Sequence, residues 1–336
     1  MKRYKAAIIG LGVGERHMES YVAHPDVDLI TLCDFDGGKL KDISSRYPEY
    51  NFIDDARSVL EDKEIDIVSV ASYDNHHFDQ IKLAIGNGKH VYVEKPICLY
   101  ADELRAIRSL LRKHSNIQLS SNLTLRTCSL FSEVKNAIEM GDFGDLYFIR
   151  GDYLWGRKHK LTDGWRKDMP FYSIVYGAAI HLIDLVLWMT NMLPVQVHGY
   201  SNNIATRGSD LKYSDFASVQ LLFENGLIAE ISAHGGCVHP HFHQLQVFGF
   251  EKSFTNTITG QGWLDGSESD TVVREAKGEY PSKMERGKAL TSFLDAIVTG
   301  KNRPLVDQEA VFNAMSICLS AERAIQTGRE MTIEYI

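Results

Sequence analysis

Up to about residue 120, short apolar runs alternate with amphipathic stretches of helical period. The apolar runs are Tyr4–Ile9, Ile30–Cys33, Ile65–Ala71, His90–Val93 and Ile117–Ser120. Between them lie Glu15–Ala23, Lys39–Arg46, Asp79–Asn87 and Ala101–Lys113, each read as a helix. Short apolar strands separated by such helices predict a parallel sheet covered on both faces. Beyond a helix at Leu130–Met140 the pattern changes to longer, alternating strands: Leu146–Leu154, Val195–Asn202, Phe216–Phe223, Ile228–Ser232 and His243–Gly249. Glu224-Asn225-Gly226 carries the Asn-Gly dipeptide of a tight hairpin, and Gly249–Lys252 is a second turn signal. This half predicts a large, mostly antiparallel sheet with helices at Ile180–Met189, Lys288–Val298 and Asp307–Thr327, the last closed by Gly328. No repeat, low-complexity segment or long linker interrupts the chain. The expected class is α/β, a doubly wound parallel sheet over residues 1–121 followed by an α+β domain with an open sheet over residues 122–336.

Composition narrows the function classes. At 336 residues, 44% hydrophobic and 24% charged, the chain suits two globular domains with sizeable cores. The formal net charge is −8, with no basic arm or Lys/Arg stripe, which argues against a nucleic-acid partner. Apolar stretches are broken by charges or glycines well short of a membrane span. The sequence runs into its first strand at Tyr4 with no cleavable apolar segment before it. Its five cysteines are odd in number and form no C-x-x-C pair, which fits a reducing cytoplasm better than a disulfide framework.

The first strand ends in Ile9-Gly10-Leu11-Gly12-Val13-Gly14-Glu15. Gly10 permits a tight turn, and Gly12 leaves room for backbone to approach a pyrophosphate at the start of the next helix. The usual third glycine is displaced, with Glu15 at its position and Gly14 one residue earlier. Asp34 closes the second strand, where a carboxylate accepts hydrogen bonds from an adenosine ribose and repels a 2′-phosphate. Phe35 and Asp36 follow, with no Arg or Lys beside them. The first domain is therefore expected to be a Rossmann domain that binds NAD rather than NADP through Gly10, Gly12, Val13, Gly14 and Asp34. The strand His90–Val93 runs into Glu94-Lys95-Pro96, and the carboxyl edge of a parallel sheet faces the ligand crevice. Pro96 restricts Lys95 to an extended backbone, and a cis Lys95–Pro96 bond is open.

Val91–Pro96 together with the glycine turn resembles the glucose-fructose oxidoreductase / inositol dehydrogenase (Gfo/Idh/MocA) family. Ser72-Tyr73-Asp74-Asn75-His76-His77 resembles its cofactor loop, with Tyr73 in place of the usual Pro. Asn122–Arg126, Trp165-Arg166, His181-x-x-Asp184 and the segments Phe293–Gly300 and Pro304–Ala324 resemble further motifs, so the likeness spans nearly the whole chain. It implies hydride transfer between nicotinamide and a hydroxyl or keto carbon of a sugar, polyol or nucleotide sugar. It also implies Ser72, His77, Glu94 and Lys95 near the cofactor, and Asn122, Trp165 and Arg166 near the substrate. Lys95 and His181 are then the catalytic pair: an imidazole with an ordinary pKa near 6.5 takes the hydroxyl proton, and an ammonium stabilises charge on the oxygen. Asp184, three residues on, binds a substrate hydroxyl or orients the site. Many members carry Asp four residues before the His; here that residue is Gly177, and Ala179 replaces a common glycine. Asp163, Asp168 and Tyr176 are the candidates to replace the missing carboxylate.

Two other stretches stay open. His239-Pro240-His241-Phe242-His243 reads as a polar strand edge or as a zinc cluster, and lacks an accompanying carboxylate at metal-ligand spacing; no metal is expected. Tyr153, Trp155, Lys158, His159 and Lys160 read as a loop over the substrate, Tyr153 a contact, that meets an anionic group, or as a plain solvated loop. The family likeness further implies a homodimer or homotetramer through the C-terminal sheet. Two alternatives to net oxidation are an NAD-using glycosidase-type enzyme with no net redox and a non-catalytic NAD-binding protein.

Overall fold

The computed structural model describes residues 3–266, 270–301 and 303–336. Contacts divide the chain into two units: residues 1–123 with 284–312 and Ile336, and residues 124–283 with 313–335. The first unit therefore takes back a segment from near the end of the chain, a return that a linear reading of domains at residue 121 does not contain.

The first unit is built on six strands: β1 (Tyr4–Ile9), β2 (Val27–Cys33), β3 (Asn51–Ile53), β4 (Ile67–Val70), β5 (His90–Val93) and β6 (Leu119–Ser121). Their order is β3-β2-β1-β4-β5-β6, with every pairing parallel. That is the doubly wound Rossmann order, which reverses direction between β1 and β4 and opens a crevice at the carboxyl ends there. The helices are α1 (Met18–Ala23), α2 (Gly37–Arg46), α3 (Ala56–Glu61), α4 (Asp74–Gly86) and α5 (Ala101–Lys113). β4 is buried at all four positions, as a strand covered on both faces must be. Asp36 and Asp55 cap α2 and α3 by accepting two backbone N–H bonds each. β3, with three residues, and α3, with six, are too short to show a hydrophobic period. α9 (Lys288–Thr299) belongs here too: Leu290, Phe293, Leu294 and Ile297 join Ile8, Tyr21, Leu32 and Tyr92 in one core.

The second unit contains α6 (Ser129–Glu139), β7 (Leu146–Leu154), α7 (His159–Thr162), α8 (Ile180–Thr190), β8 (Pro194–Asn202), β9 (Phe216–Phe223), β10 (Ile228–His234), β11 (Phe242–Gly249), β12 (Lys252–Thr257), β13 (Gly260–Asp265), β14 (Val272–Glu275) and β15 (Met331–Thr332). The nine strands run β14-β13-β12-β11-β7-β10-β9-β8-β15, all antiparallel except β7 beside β10. Asn225 and Gly226 turn the β9–β10 hairpin, with Gly226 at φ +87°. α8 is apolar nearly all round and lies on this sheet; a Cβ on Gly151 of β7 would stand 3.3 Å from Leu182. β12 to β14 are short and mostly polar, so no alternation in the sequence marks them. α10 (Gln308–Thr327) closes the chain before β15. Among the described residues no helix is long and apolar enough to cross a membrane.

Candidate active site

In the first unit the glycine turn is shaped by close approach. Gly10 has φ +89°, and a Cβ there would stand 2.3 Å from the Ala71 carbonyl oxygen. Only glycine allows β1 to turn against the end of β4 in this way. A Cβ on Gly12 would meet nothing within 4 Å, so the backbone there is open to a ligand. Gly14 packs the following helix onto the strand, since its Cβ would be 2.8 Å from the Ile8 side chain. Val13, between them, is 48% exposed. These features fit a pyrophosphate cradle at a strand-to-helix turn.

Asp34 ties the turn to the next strand. Its carboxylate accepts from Leu11 N–H at 2.8 Å, Asp36 N–H at 3.0 Å and Lys39 Nζ at 2.9 Å, and its side chain is 2% exposed. Three donors leave about one of the four lone-pair positions of a carboxylate for a ribose hydroxyl. Lys39 corrects the expectation that no basic group accompanies Asp34. It lies five residues beyond Asp34 in sequence, and the first turn of α2 brings it back to the carboxylate. Phe35 is also at this corner, its ring 5.6 Å from that of Tyr73.

Lys95 follows β5 on the same carboxyl edge of the sheet, and its bond to Pro96 is cis. Glu94 beside it accepts from Asn122 Nδ2 at 2.5 Å and lies 3.5 Å from His17 Nε2. Burial pulls the Glu94 carboxyl upward, but His17, Lys95 and Asn122 outweigh it and hold it below its ordinary value. Asn122 also accepts from the Tyr92 hydroxyl at 2.9 Å, so its amide is engaged by β5 and Glu94. Expected among substrate contacts, Asn122 is thus part of the frame around Glu94. His77, expected at the cofactor, is fully buried instead, its ring nitrogens facing the carbonyls of Pro96 at 2.6 Å and Ser72 at 3.1 Å. It fastens the Lys95–Pro96 turn to the loop after β4. Ser72 donates to Gln80 at 2.7 Å. Tyr92 lies inside the Val91–Pro96 run and His17 just past the glycine turn, but sequence gives neither a role, and only their contacts do.

In the second unit His181 opens α8, directly after a single wide π turn at Val175–Ala179. Such turns are frequent at functional sites. Ser173 starts this helix: its Oγ accepts from Val175 N–H at 3.1 Å and donates to Glu322 at 2.6 Å. Burial raises the Glu322 carboxyl. The His181 ring lies parallel to Tyr153, centroids 5.9 Å apart, and edge-on to His243 at 6.1 Å. Tyr153 hydroxyl and His241 Nε2 are 3.0 Å apart; His243 Nδ1 and Tyr280 hydroxyl are 2.7 Å apart. The histidine-rich stretch therefore belongs to an aromatic cluster around His181. Among the described residues no group of three or more His, Cys, Asp or Glu side chains has the arrangement of a metal site.

Asp184, expected either to bind a substrate hydroxyl or to orient the site, is held by a protein partner. Its carboxylate accepts from Arg126 Nε at 2.9 Å and Nη2 at 2.6 Å, and the two side chains are 8% and 1% exposed for Arg126 and Asp184. Both oxygens are taken by a bidentate partner away from solvent, so Asp184 anchors α8 to Arg126. Arg166 lies against three rings, its guanidinium carbon 4.4 Å from the centroid of Trp165, 5.0 Å from Trp155 and 5.9 Å from Tyr172. Tyr172, which no motif marked, fills the place left at Gly177: a Cβ there would stand 2.9 Å from its hydroxyl. Asp163 and Asp168, two of the candidates for that place, are exposed, and Tyr176 packs edge-on against Phe171 at 5.8 Å.

Residues 4–122 match a family model described as "Oxidoreductase family, NAD-binding Rossmann fold", and residues 131–255 match one described as "GFO/IDH/MocA C-terminal domain". Together they take in well over half of the chain. The chain is 23% identical to D-glucoside 3-dehydrogenase of Escherichia coli K12, over 98% of this chain and 97% of that protein. It is 21% identical to scyllo-inositol 2-dehydrogenase (NAD(+)) of Bacillus subtilis 168, over 98% and 96%. The crystal structure of myo-inositol 2-dehydrogenase from Lactobacillus plantarum superposes with a TM-score of 0.83 at 22% identity, covering 99% of this chain and 100% of that one.

Proposed function

The chain belongs to the Gfo/Idh/MocA family of NAD-binding oxidoreductases, and on that premise we propose that it is a dehydrogenase or reductase acting at a CH–OH or keto carbon of a sugar, polyol or nucleotide sugar. The observation that carries the reading is the carboxyl edge of the first sheet. Gly10 closes on Ala71 at the point where strand order reverses, and the same edge presents Lys95 after β5. When bound, NAD supplies the hydride acceptor or donor. Lys95 donates a hydrogen bond from its ammonium to the reacting oxygen and stabilises negative charge developing there. The buried Glu94 carboxylate favours that positive charge on its neighbour. His181 takes the hydroxyl proton in oxidation and returns it in reduction. Tyr153 packs on the imidazole face and limits its rotation.

The test is Lys95→Ala, assayed for NADH formation on a panel of inositols and glucosides and for NAD binding by calorimetry. Turnover should fall by roughly 10²–10³-fold, the usual effect of removing one charge-stabilising donor, with NAD affinity kept within a few-fold. Undiminished turnover overturns the role of Lys95. We also read the exposed side of the nine-stranded sheet as a self-association surface, because Tyr147 on β7, Tyr200 on β8 and Phe250 in the turn between β11 and β12 are 50%, 70% and 73% exposed. Light scattering should give the mass of a dimer or tetramer; a monomer at assay concentration refutes it.

A further inference from the structure

α5 carries a row of arginines on an acidic chain. Arg105, Arg108 and Arg112 stand three and four residues apart, which puts them on one face of the helix. α5 and the first turn of α10 line a cavity of about 340 Å³, a size that suits a small molecule. Leu111, Ile117 and Phe312 form its apolar wall, and Arg108, Arg112 and Ser115 bring polar groups to it. All of them belong to the first unit, and none belongs to the glycine turn, Asp34 or the Glu94–Pro96 run.

Arg108 is set in place from two sides. Its guanidinium carbon is 4.7 Å from the centroid of the Phe312 ring, and its Nη2 donates to Glu309 at 2.7 Å. Its Nη1 is shielded from solvent and, among the described residues, meets no acceptor. Arg112, one turn on, is exposed and forms no ion pair among the described residues. Two guanidiniums at that spacing repel each other, and an anion between them removes the repulsion. Glu309 marks where an oxyanion docks on Arg108. Its side chain is 55% exposed, and an exposed pair adds little to stability, so a ligand anion can displace it. Even with Glu309 in place the lining keeps one net positive charge, on a chain of net charge −8. An apolar wall beside a cationic pair fits a molecule with an anionic head and an apolar body better than a bare ion.

We propose that the cavity between α5 and the first turn of α10 binds a small organic anion, with its phosphate or carboxylate between Arg108 and Arg112 and its apolar body on Leu111, Ile117 and Phe312. This site is separate from the cofactor turn and stands whether or not the dehydrogenase reading does.

The experiment titrates the full-length, NAD-saturated protein with phenyl phosphate, benzoate and inorganic phosphate by calorimetry. Excess NAD keeps the pyrophosphate cradle filled, so the heat reports other sites. Phenyl phosphate or benzoate should saturate, and should bind about tenfold or more tighter than inorganic phosphate, which leaves the apolar wall uncovered. Arg108→Gln and Arg112→Gln should each weaken the better probe by about ten- to hundredfold, the value of a hydrogen bond to a charged group. Glu309→Gln removes the competing carboxylate and should tighten it. The phosphate and carboxylate arms identify which head group is preferred. Unaltered NAD affinity and melting temperature show that the variants fold. No saturable response to either aromatic anion, or binding that NAD displaces, overturns the proposal. So does affinity unchanged in both arginine variants, or inorganic phosphate binding as tightly as the aromatic probes, since either marks an adventitious ion only. Weaker binding in Glu309→Gln overturns the placement of the anion on Arg108.

Discussion

Exchanging Asp184 for Asn removes one charge from a pair that water does not reach. At a separation near 4 Å, and with the effective dielectric suited to protein sites, the attraction is about 4 kcal/mol. Desolvation of both ions offsets much of it, so the intact pair adds little net stability. Breaking it is different, because the surviving guanidinium, in a side chain 8% exposed, keeps its charge without a partner. The cost expected is about 3–5 kcal/mol, toward the lower end for Asp184→Asn because an amide oxygen still accepts one bond. Arg126→Met strands the carboxylate instead and should cost a similar amount. In a cycle of Arg126→Met, Asp184→Leu and the two combined, the double change removes both charges and should cost far less than those two single changes together, a coupling of about 3 kcal/mol. All four tryptophans, Trp155, Trp165, Trp188 and Trp263, lie in the second unit, so their fluorescence in urea reports that unit alone. Additive losses, with coupling under about 0.5 kcal/mol, would refute the argument. So would Asp184→Asn with native stability and a selectively raised KM, an outcome that would return Asp184 to the substrate.

The first unit should lose stability in mild acid. Burial pulls the His90 imidazole from 6.5 down to about 4, and its Nδ1 accepts the Gln118 N–H at 3.1 Å, which a protonated ring cannot do. The unfolded chain takes the proton near pH 6.5 and the folded one only near 4, so stability is complete above 6.5 and declines between these values, by about 3 kcal/mol at most. His90→Gln should flatten this slope in circular-dichroism melts, and an unchanged slope would count against it. The glycine turn gives a paired test: Gly10→Ala adds about 1–2 kcal/mol of left-handed strain to its collision with Ala71 and should lower both the melting temperature and NAD affinity. Gly12→Ala meets open space and should lower NAD affinity alone; equal melting shifts in the two variants would refute the assignment.

The sequence by itself determined the parallel sheet, the antiparallel sheet and the glycine turn, because each is written in neighbouring residues. A strand such as His90–Val93 announces itself by four consecutive residues, and Gly10 by its place at a strand end. The family likeness likewise came from local runs such as Glu94-Lys95-Pro96. Tertiary structure decided what those side chains do. Asp184 turned out to be bound by Arg126, His77 by two backbone carbonyls, and Asp34 by Lys39, and no local pattern encodes which distant group reaches a carboxylate or ring first. Tyr172 filling the space at Gly177 is the same kind of fact: they stand five positions apart in sequence, but only the turn between them sets the hydroxyl where a side chain would stand. The return of residues 284–312 to the first unit was equally hidden, since a helix carries its apolar stripe without naming the sheet that will bury it.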